Sequence, residues 1–268
     1  MLSIGFSDEF CAGNVCAGVK GRLKSSVSFW ASTLDAPQFT LDTISHGYRI
    51  PFASYPAPCL LSNNLSALRH PDFVVHAISE LLDSGCITEH SEPSFCVNPL
   101  TVAEGKKLRL VIDLKHVNCH LVRFKLTYED LRSLSQVLQE GHWFFTWDLK
   151  SGYHHVDTSP DHQKYLGFVW RFNGVLTYFT FAVLPFSLSS ACFCFTKLFR
   201  PLVKRWRLWV ITLLFISTTV FVASPRGRPP SQQLLFSERI LSLPVSLLTL
   251  TRRSLTGSLC KLTRGSVL

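Results

Sequence analysis

Apolar residues recur at helical spacing in HPDFVVHAISELLDSGC, where Val74, Val75, Ile78, Leu81 and Leu82 form one stripe. Pro71 falls in the first turn and Gly85 just past the last, so the spacing predicts a helix between them. Shorter apolar runs follow. VNPLTVAE and LRLVIDL, joined by the polar turn Gly105-Lys106-Lys107, read as a β-hairpin. TYEDLRSLSQVL returns to helical spacing, with Thr127 placed as an N-cap and Leu131, Leu134 and Leu138 on one side. HWFFTWDL is apolar on both faces, as a central strand is. KYLGFVW and VLTYFTFAV flank Asn173-Gly174, the strongest short-range hairpin signal. SSACFCFTKLFRPLVKRW reads as a helix with a kink or an end near Pro201. Residues 1–50 carry no sustained periodicity beyond a short helix in VKGRLKSSVSFW and form a partly irregular leader. PFASYPAPC after them is proline-rich and extended. Up to Arg207 the elements predict an α+β domain.

Beyond Arg207 the texture changes. Residues 208–268 hold no aspartate, one glutamate (Glu238), 14 leucines and nine serines. Seven lysines and arginines lie there, so the tail carries +6 of the net charge of +9 and leaves little for a polynucleotide groove elsewhere. Leu208–Pro225 is uncharged and largely apolar, but short for a membrane span and without a clean charged flank. The nine cysteines include no CxxC pair. Cys11 and Cys16 have only loose metal-ligand spacing, with no second pair at zinc-site distance. No signal peptide is evident in MLSIGFSDEF, so free thiols in a cytoplasmic or nuclear protein are expected.

Four features are candidates for chemistry. Asp148 closes the strand in FFTWDLKSGYHH. An aspartate at a strand end can hold a hard divalent cation or simply cap a turn, and alone it does not distinguish the two. Lys107, Arg109 and Lys115 alternate along the first hairpin, where they form either a grip for a triphosphate or an ordinary solvated face. FAVLPFSLSSACF sets a proline turn before a serine-rich helix start whose N–H groups suit phosphate or a template strand. His154 and His155 would point apart on a strand, which favours surface or template-facing roles over a metal site.

Together LRLVIDLKHVN, FFTWDLKSGYHHVDTSPDHQKYLGF and TYFTFAVLPFSLSSACFCFTKLFRPL resemble, in order and spacing, the fingers and palm of retroelement reverse transcriptases. GYRIPF, SALRHPDFV and NPLTVA are similar to the retrotransposons that pair a polymerase with a tyrosine recombinase (the DIRS-like group). The resemblance spans roughly residues 19–207. It implies a right-hand polymerase fold with RNA-directed DNA polymerase (nucleotidyltransferase) chemistry. Mg2+ is its metal, and an RNA or DNA template-primer and deoxynucleotides are its partners; no small-molecule cofactor or membrane is implied. By that resemblance Asp148 is the first metal aspartate and the Leu149 carbonyl helps hold the ion. Tyr153 is the steric gate against a ribose 2′-hydroxyl, and Arg109, with Lys107, contacts the triphosphate. Phe186 and Ser187 stand in the nucleotide-side turn, and Asp113 and Asn118 shape the fingers. Ser187 departs from the pattern, which has glycine there.

The family also needs an aromatic-x-Asp-Asp hairpin soon after Arg207, and this chain has no Asp-Asp pair. Phosphoryl transfer by two ions rests on positioned carboxylate charge, so the expected catalytic set is incomplete. LFISTTV occupies residues 214–220, where the hairpin is due. Encoded as CTG TTT ATC TCG ACG ACG GTT and read from the third base of the Leu214 codon, it gives Val-Tyr-Leu-Asp-Asp-Gly. The expected organisation is therefore a leader at 1–50, incomplete reverse transcriptase fingers and palm at 51–207, and a poorly ordered, out-of-frame tail at 208–268. The expected function is a catalytically inactive reverse transcriptase fragment. A non-catalytic RNA/DNA-binding remnant and a protein anchored through residues 208–225 are the competing readings.

Overall fold

The computed structural model describes residues 20–125, 143–149, 151–209, 212–216, 219–224 and 250–251. The helix expected in TYEDLRSLSQVL and the residues Cys11 and Cys16 lie outside them. The architecture is α+β. The elements are α1 (Val27–Ser32), α2 (Gln38–His46), β1 (Cys59–Leu60), α3 (Leu65–Leu68), α4 (Pro71–Asp83), β2 (Ile87–His90), β3 (Cys96–Val97), β4 (Leu100–Ala103), β5 (Arg109–Ile112) and α5 (Lys115–Asn118). After them come β6 (Trp143–Leu149), α6 (Pro160–Gln163), β7 (Gly167–Phe172), β8 (Val175–Phe181), α7 (Ala191–Trp209), β9 (Thr212–Ile216), β10 (Thr219–Ser224) and β11 (Leu250–Thr251).

Three sheets result. One has five strands in the order β1-β3-β7-β8-β2, a second four in the order β11-β6-β10-β9, and β4 and β5 form the third. The local signals act where they were read. Asn173 and Gly174 take φ of 50° and 82° and turn β7 into β8 with Phe172 opposite Val175, as a hairpin turn with two left-handed residues requires. β4 and β5 pair with Leu100 opposite Ile112. In α4, Val74 and Ile78 are fully buried while Val75, Leu81 and Leu82 pack at the margin, and Gly85 beyond its end has φ 69°.

The helix α7 is the spine of the core. Ala191, Cys194, Phe195, Leu198, Phe199, Leu202, Val203 and Trp206 are all buried, at the three- and four-residue intervals of a single helical face. Of the two readings of Pro201, a kink or an end, the end does not hold: the helix runs on to Trp209 with the proline inside it. A proline there forfeits one backbone bond and crowds the preceding turn. Burial of Leu202, Val203 and Trp206 beyond it offsets the loss.

The leader is built into this core from Lys20 onward. Trp30 of α1 meets Phe199 edge-on, with ring centroids 6.0 Å apart. The Gly21 N–H donates to Asp157 Oδ1 at 3.2 Å. Tyr48 donates its N–H to the Asp157 carbonyl at 2.7 Å and accepts from the Ser159 N–H at 3.0 Å. The chain comes this close because residue 47 is glycine: φ is 84°, ψ is 158°, and a Cβ there would stand 2.7 Å from the Ser159 nitrogen. Leu208–Pro225, apolar enough to suggest a span, instead contains the antiparallel strands β9 and β10, with Ile216 opposite Thr219. Among the described residues no helix is long and apolar enough to cross a membrane.

Gly47→Ala combines a backbone region open almost only to glycine with a main-chain collision, so it should cost about 3 kcal/mol. Gly174→Ala, at positive φ but with open space around it, should cost about 1 kcal/mol. Urea unfolding midpoints of the two variants measure the difference.

Candidate nucleotide and nucleic-acid site

Asp148 sits on an inner strand. β6 lies between β10 and β11, and the register sets Thr219 opposite Asp148 on one side and Thr251 on the other. Leu149 is opposite Leu250. The two residues aligned with Asp148 are thus threonines, and after Asp161 the only acid in the chain is Glu238. Two divalent ions need several hard, charged oxygens. The residues aligned with Asp148 do not fit that requirement.

Beyond β6 the chain turns sharply. Ser151 adopts the left-handed region (φ 52°), and Gly152–His155 wind into one 3-10 turn held by the His154 N–H on the Ser151 carbonyl at 2.8 Å. The turn, not a strand, sets the histidines: it buries His155, against the surface or template-facing role expected of it, and leaves His154 half-buried. His155 is 1% exposed. His154 packs between Phe186 and Phe181, with centroids 5.6 and 6.4 Å away. Burial and the neighbouring His155 push the His154 pKa down to about 4.

The same turn buries Tyr153. Its ring meets Phe186 edge-on at 4.7 Å and Phe195 of α7 at 5.0 Å, and its hydroxyl donates to Cys192 Sγ at 3.3 Å. Phe186, 58% exposed, covers it from the solvent side. Asn118 fixes the turn that carries Phe186. Its Nδ2 donates to the Ser187 carbonyl at 2.9 Å, and its Oδ1 accepts from the Ser189 N–H at 2.8 Å. That Ser189 N–H, one of those at the helix start that suited a phosphate, is thus already engaged. Ser187 is not among the described non-glycine residues at positive φ, so the turn closes there without a glycine conformation.

Asp113 begins the segment that Asn118 ends. Its Oδ1 accepts from the Lys115 N–H at 3.1 Å, and its Oδ2 pairs with Lys115 Nζ at 3.3 Å. Lys115 is thereby engaged, while Lys107 in the hairpin turn and Arg109, opposite Ala103, both face solvent. The structure therefore brings together Tyr153, Phe186, Ser187 and Asn118, and ties them through α5 to the hairpin bearing Arg109.

Two features escaped the sequence reading. Lys197, Arg200, Lys204 and Arg207 are exposed along the outward side of α7. Their spacing was legible once the buried face was known. Tyr55, 66% exposed, stacks on Tyr165 at an interplanar angle of 27°, with Lys164 Nζ 5.3 Å from the Tyr165 centroid. The exposed ring of Tyr55 offers a face on which an unpaired base can stack.

The chain is 27% identical over 164 residues to the "Putative enzymatic polyprotein" of Cassava vein mosaic virus, a match covering 56% of this chain and 24% of that protein. It thus spans about a quarter of that relative's length. Its fold is similar to the native crystal structure of prototype foamy virus protease-reverse transcriptase, with a TM-score of 0.53 and 19% identity. That likeness covers 72% of this chain and 25% of the viral one. No protein-family model matches the chain. The fold is reverse-transcriptase-like.

Two measurements follow. Asn118→Ala removes two hydrogen bonds and should cost about 1–3 kcal/mol by chemical denaturation. Asn118→Asp keeps the acceptor for Ser189 but turns a carboxylate oxygen toward the Ser187 carbonyl, so it should not recover the loss. The second concerns pH. Burial foremost, with Arg49 nearby, also lowers the His162 pKa, and its Nδ1 accepts the Ile50 N–H at 2.9 Å. Between pH 6.5 and about 4 the unfolded chain protonates His154 while the folded chain does not, so stability falls as pH drops through that window. The loss from His154 should be on the order of 3 kcal/mol, and His154→Gln should flatten the profile, leaving the share due to His162.

Proposed function

We propose that this chain is the fingers and incomplete palm of a retroelement reverse transcriptase, holding a polynucleotide-binding surface without nucleotidyl transfer. The register at Asp148 carries the reading. A palm of this family would set its paired aspartates in the hairpin beside the first metal aspartate, and here the hairpin β9–β10 stands beside Asp148 with Thr219 aligned to it. The shifted reading frame of residues 214–220 would put Asp-Asp at the tip of that hairpin. This supports a frame slip near Arg207, with residues 208–268 translated out of frame. GYRIPF, SALRHPDFV and NPLTVA favour the retrotransposon group that pairs its polymerase with a tyrosine recombinase.

On this reading Tyr153 lies beneath the ribose of an incoming nucleotide and Phe186 beside it, with Arg109 and Lys107 toward the triphosphate. The contact between Tyr153 and Phe186, and the hold of Asn118 on their turn, support that arrangement. Mg2+ would be the family's metal, but the residues beside Asp148 do not complete its site, and no step is assigned to it. The exposed cations of α7 and the ring of Tyr55 favour contact with a template strand.

Given Mg2+, a primer-template and deoxynucleotides, the purified chain should bind the duplex in a salt-dependent manner and add no nucleotide. A chain whose frame is shifted after Arg207 to encode Asp-Asp should extend the primer, and Asp148→Ala should abolish that extension. Extension by the present chain that disappears with Asp148→Ala would refute the inactivity. Failure of both chains to bind nucleic acid would refute the family reading.

A further inference from the structure

Away from Asp148, three soft ligands converge at the edge of the five-stranded sheet. β1 and β3 pair in parallel with Cys59 beside Cys96, and α5 brings His116 over them. One ligand atom from each residue lies within 4.8 Å of the other two, and among the described residues no other group of His, Cys, Asp and Glu meets that spacing. We propose that Cys59, Cys96 and His116 form a structural site for one thiophilic divalent cation, zinc in chemical class, with water in the fourth position.

The donor set decides the class. Two thiolates and an imidazole suit a tetrahedral d10 ion and not the hard cation of phosphoryl transfer. Zinc at about 2.3 Å from sulfur and 2.0 Å from nitrogen would set its ligands roughly 3.5–3.8 Å apart. Small side-chain rotations from the present spacing reach that. Cys96 Sγ donates to the Ala57 carbonyl at 3.6 Å, and His116 Nε2 faces the same oxygen at 3.4 Å, longer than a good N–H···O bond. Pro56 and Pro58 hold that carbonyl in a stiff segment. The His120 ring lies beside His116 with centroids 5.6 Å apart, and its Nδ1 is 3.0 Å from Ser54 Oγ, so it stands as an outer support.

The cation would fasten the start of α5 to the sheet edge. The last residue of that helix is Asn118, which holds the turn under Phe186. The proposal needs only this fold and stands apart from any nucleotidyl transfer.

The purified, reduced full chain, stripped with a chelator, is titrated with Zn2+ against a chromophoric competitor and separately with Co2+. One tight equivalent is expected, with thiolate-to-cobalt charge-transfer absorption and the strong visible bands of a tetrahedral ion. Cys59→Ser and His116→Ala, both at half-buried positions that spare the core, should each weaken binding at least about a hundredfold. Cys119→Ser, at an exposed neighbour outside the site, should leave it unchanged. Absence of a tight equivalent would overturn the proposal. So would metal retained at full affinity by both variants, or a Cys59–Cys96 disulfide that re-forms in preference to the metal complex.

Discussion

The buried face of α7 holds the molecule together. Phe199 receives Trp30 from the leader, and Phe195 receives Tyr153 from the turn after β6. Segments more than a hundred residues apart thus meet one row of side chains, and each constrains the others. Aromatic edge-to-face contacts add about 0.5–1.5 kcal/mol beyond their area burial, and here they also fix orientation. Tyr153 cannot swing without disturbing either Phe195 or Phe186. The candidate site is in this sense an outcrop of the core, its geometry set by packing from below and by Asn118 from the side.

Legibility in the sequence tracked the range of the forces involved. Asn173-Gly174 specifies its hairpin by local backbone preference alone, and the β4–β5 hairpin and α4 follow from short-range pattern. The leader looked patternless because its order is borrowed. Trp30, Ile44, Tyr48 and Ile50 are buried against residues more than a hundred positions away, and no window around them contains those partners. His155 was misread for a related reason. An alternation argument assumes a strand, but the left-handed Ser151 winds the chain into a 3-10 turn that aims that ring inward. Pro201 does not end its helix, because eight buried side chains outweigh a local penalty.

Around the candidate site the sequence motifs name positions without giving their connections. Tyr153 and Phe186 were legible as separate motif positions, and their contact was not. Asn118 carried a family role in shaping the fingers, while the structure gives it a specific task on the Ser187 and Ser189 backbone. The soft-ligand group of Cys59, Cys96 and His116 escaped spacing rules altogether. Two of its members are strand neighbours and the third arrives from a helix, so topology, not interval, assembles it.

The ladder joining β6 to β10 is made of main-chain amides and carbonyls, which are the same whether the aligned side chain is a threonine or a carboxylate. Shape and chemistry are therefore inspected by different atoms. Cellular surveillance that responds to exposed apolar surface or slack backbone would pass such a sheet as sound. At that end of the sheet the main chain sets the register, and the aligned side chains decide only the charge that the strand presents.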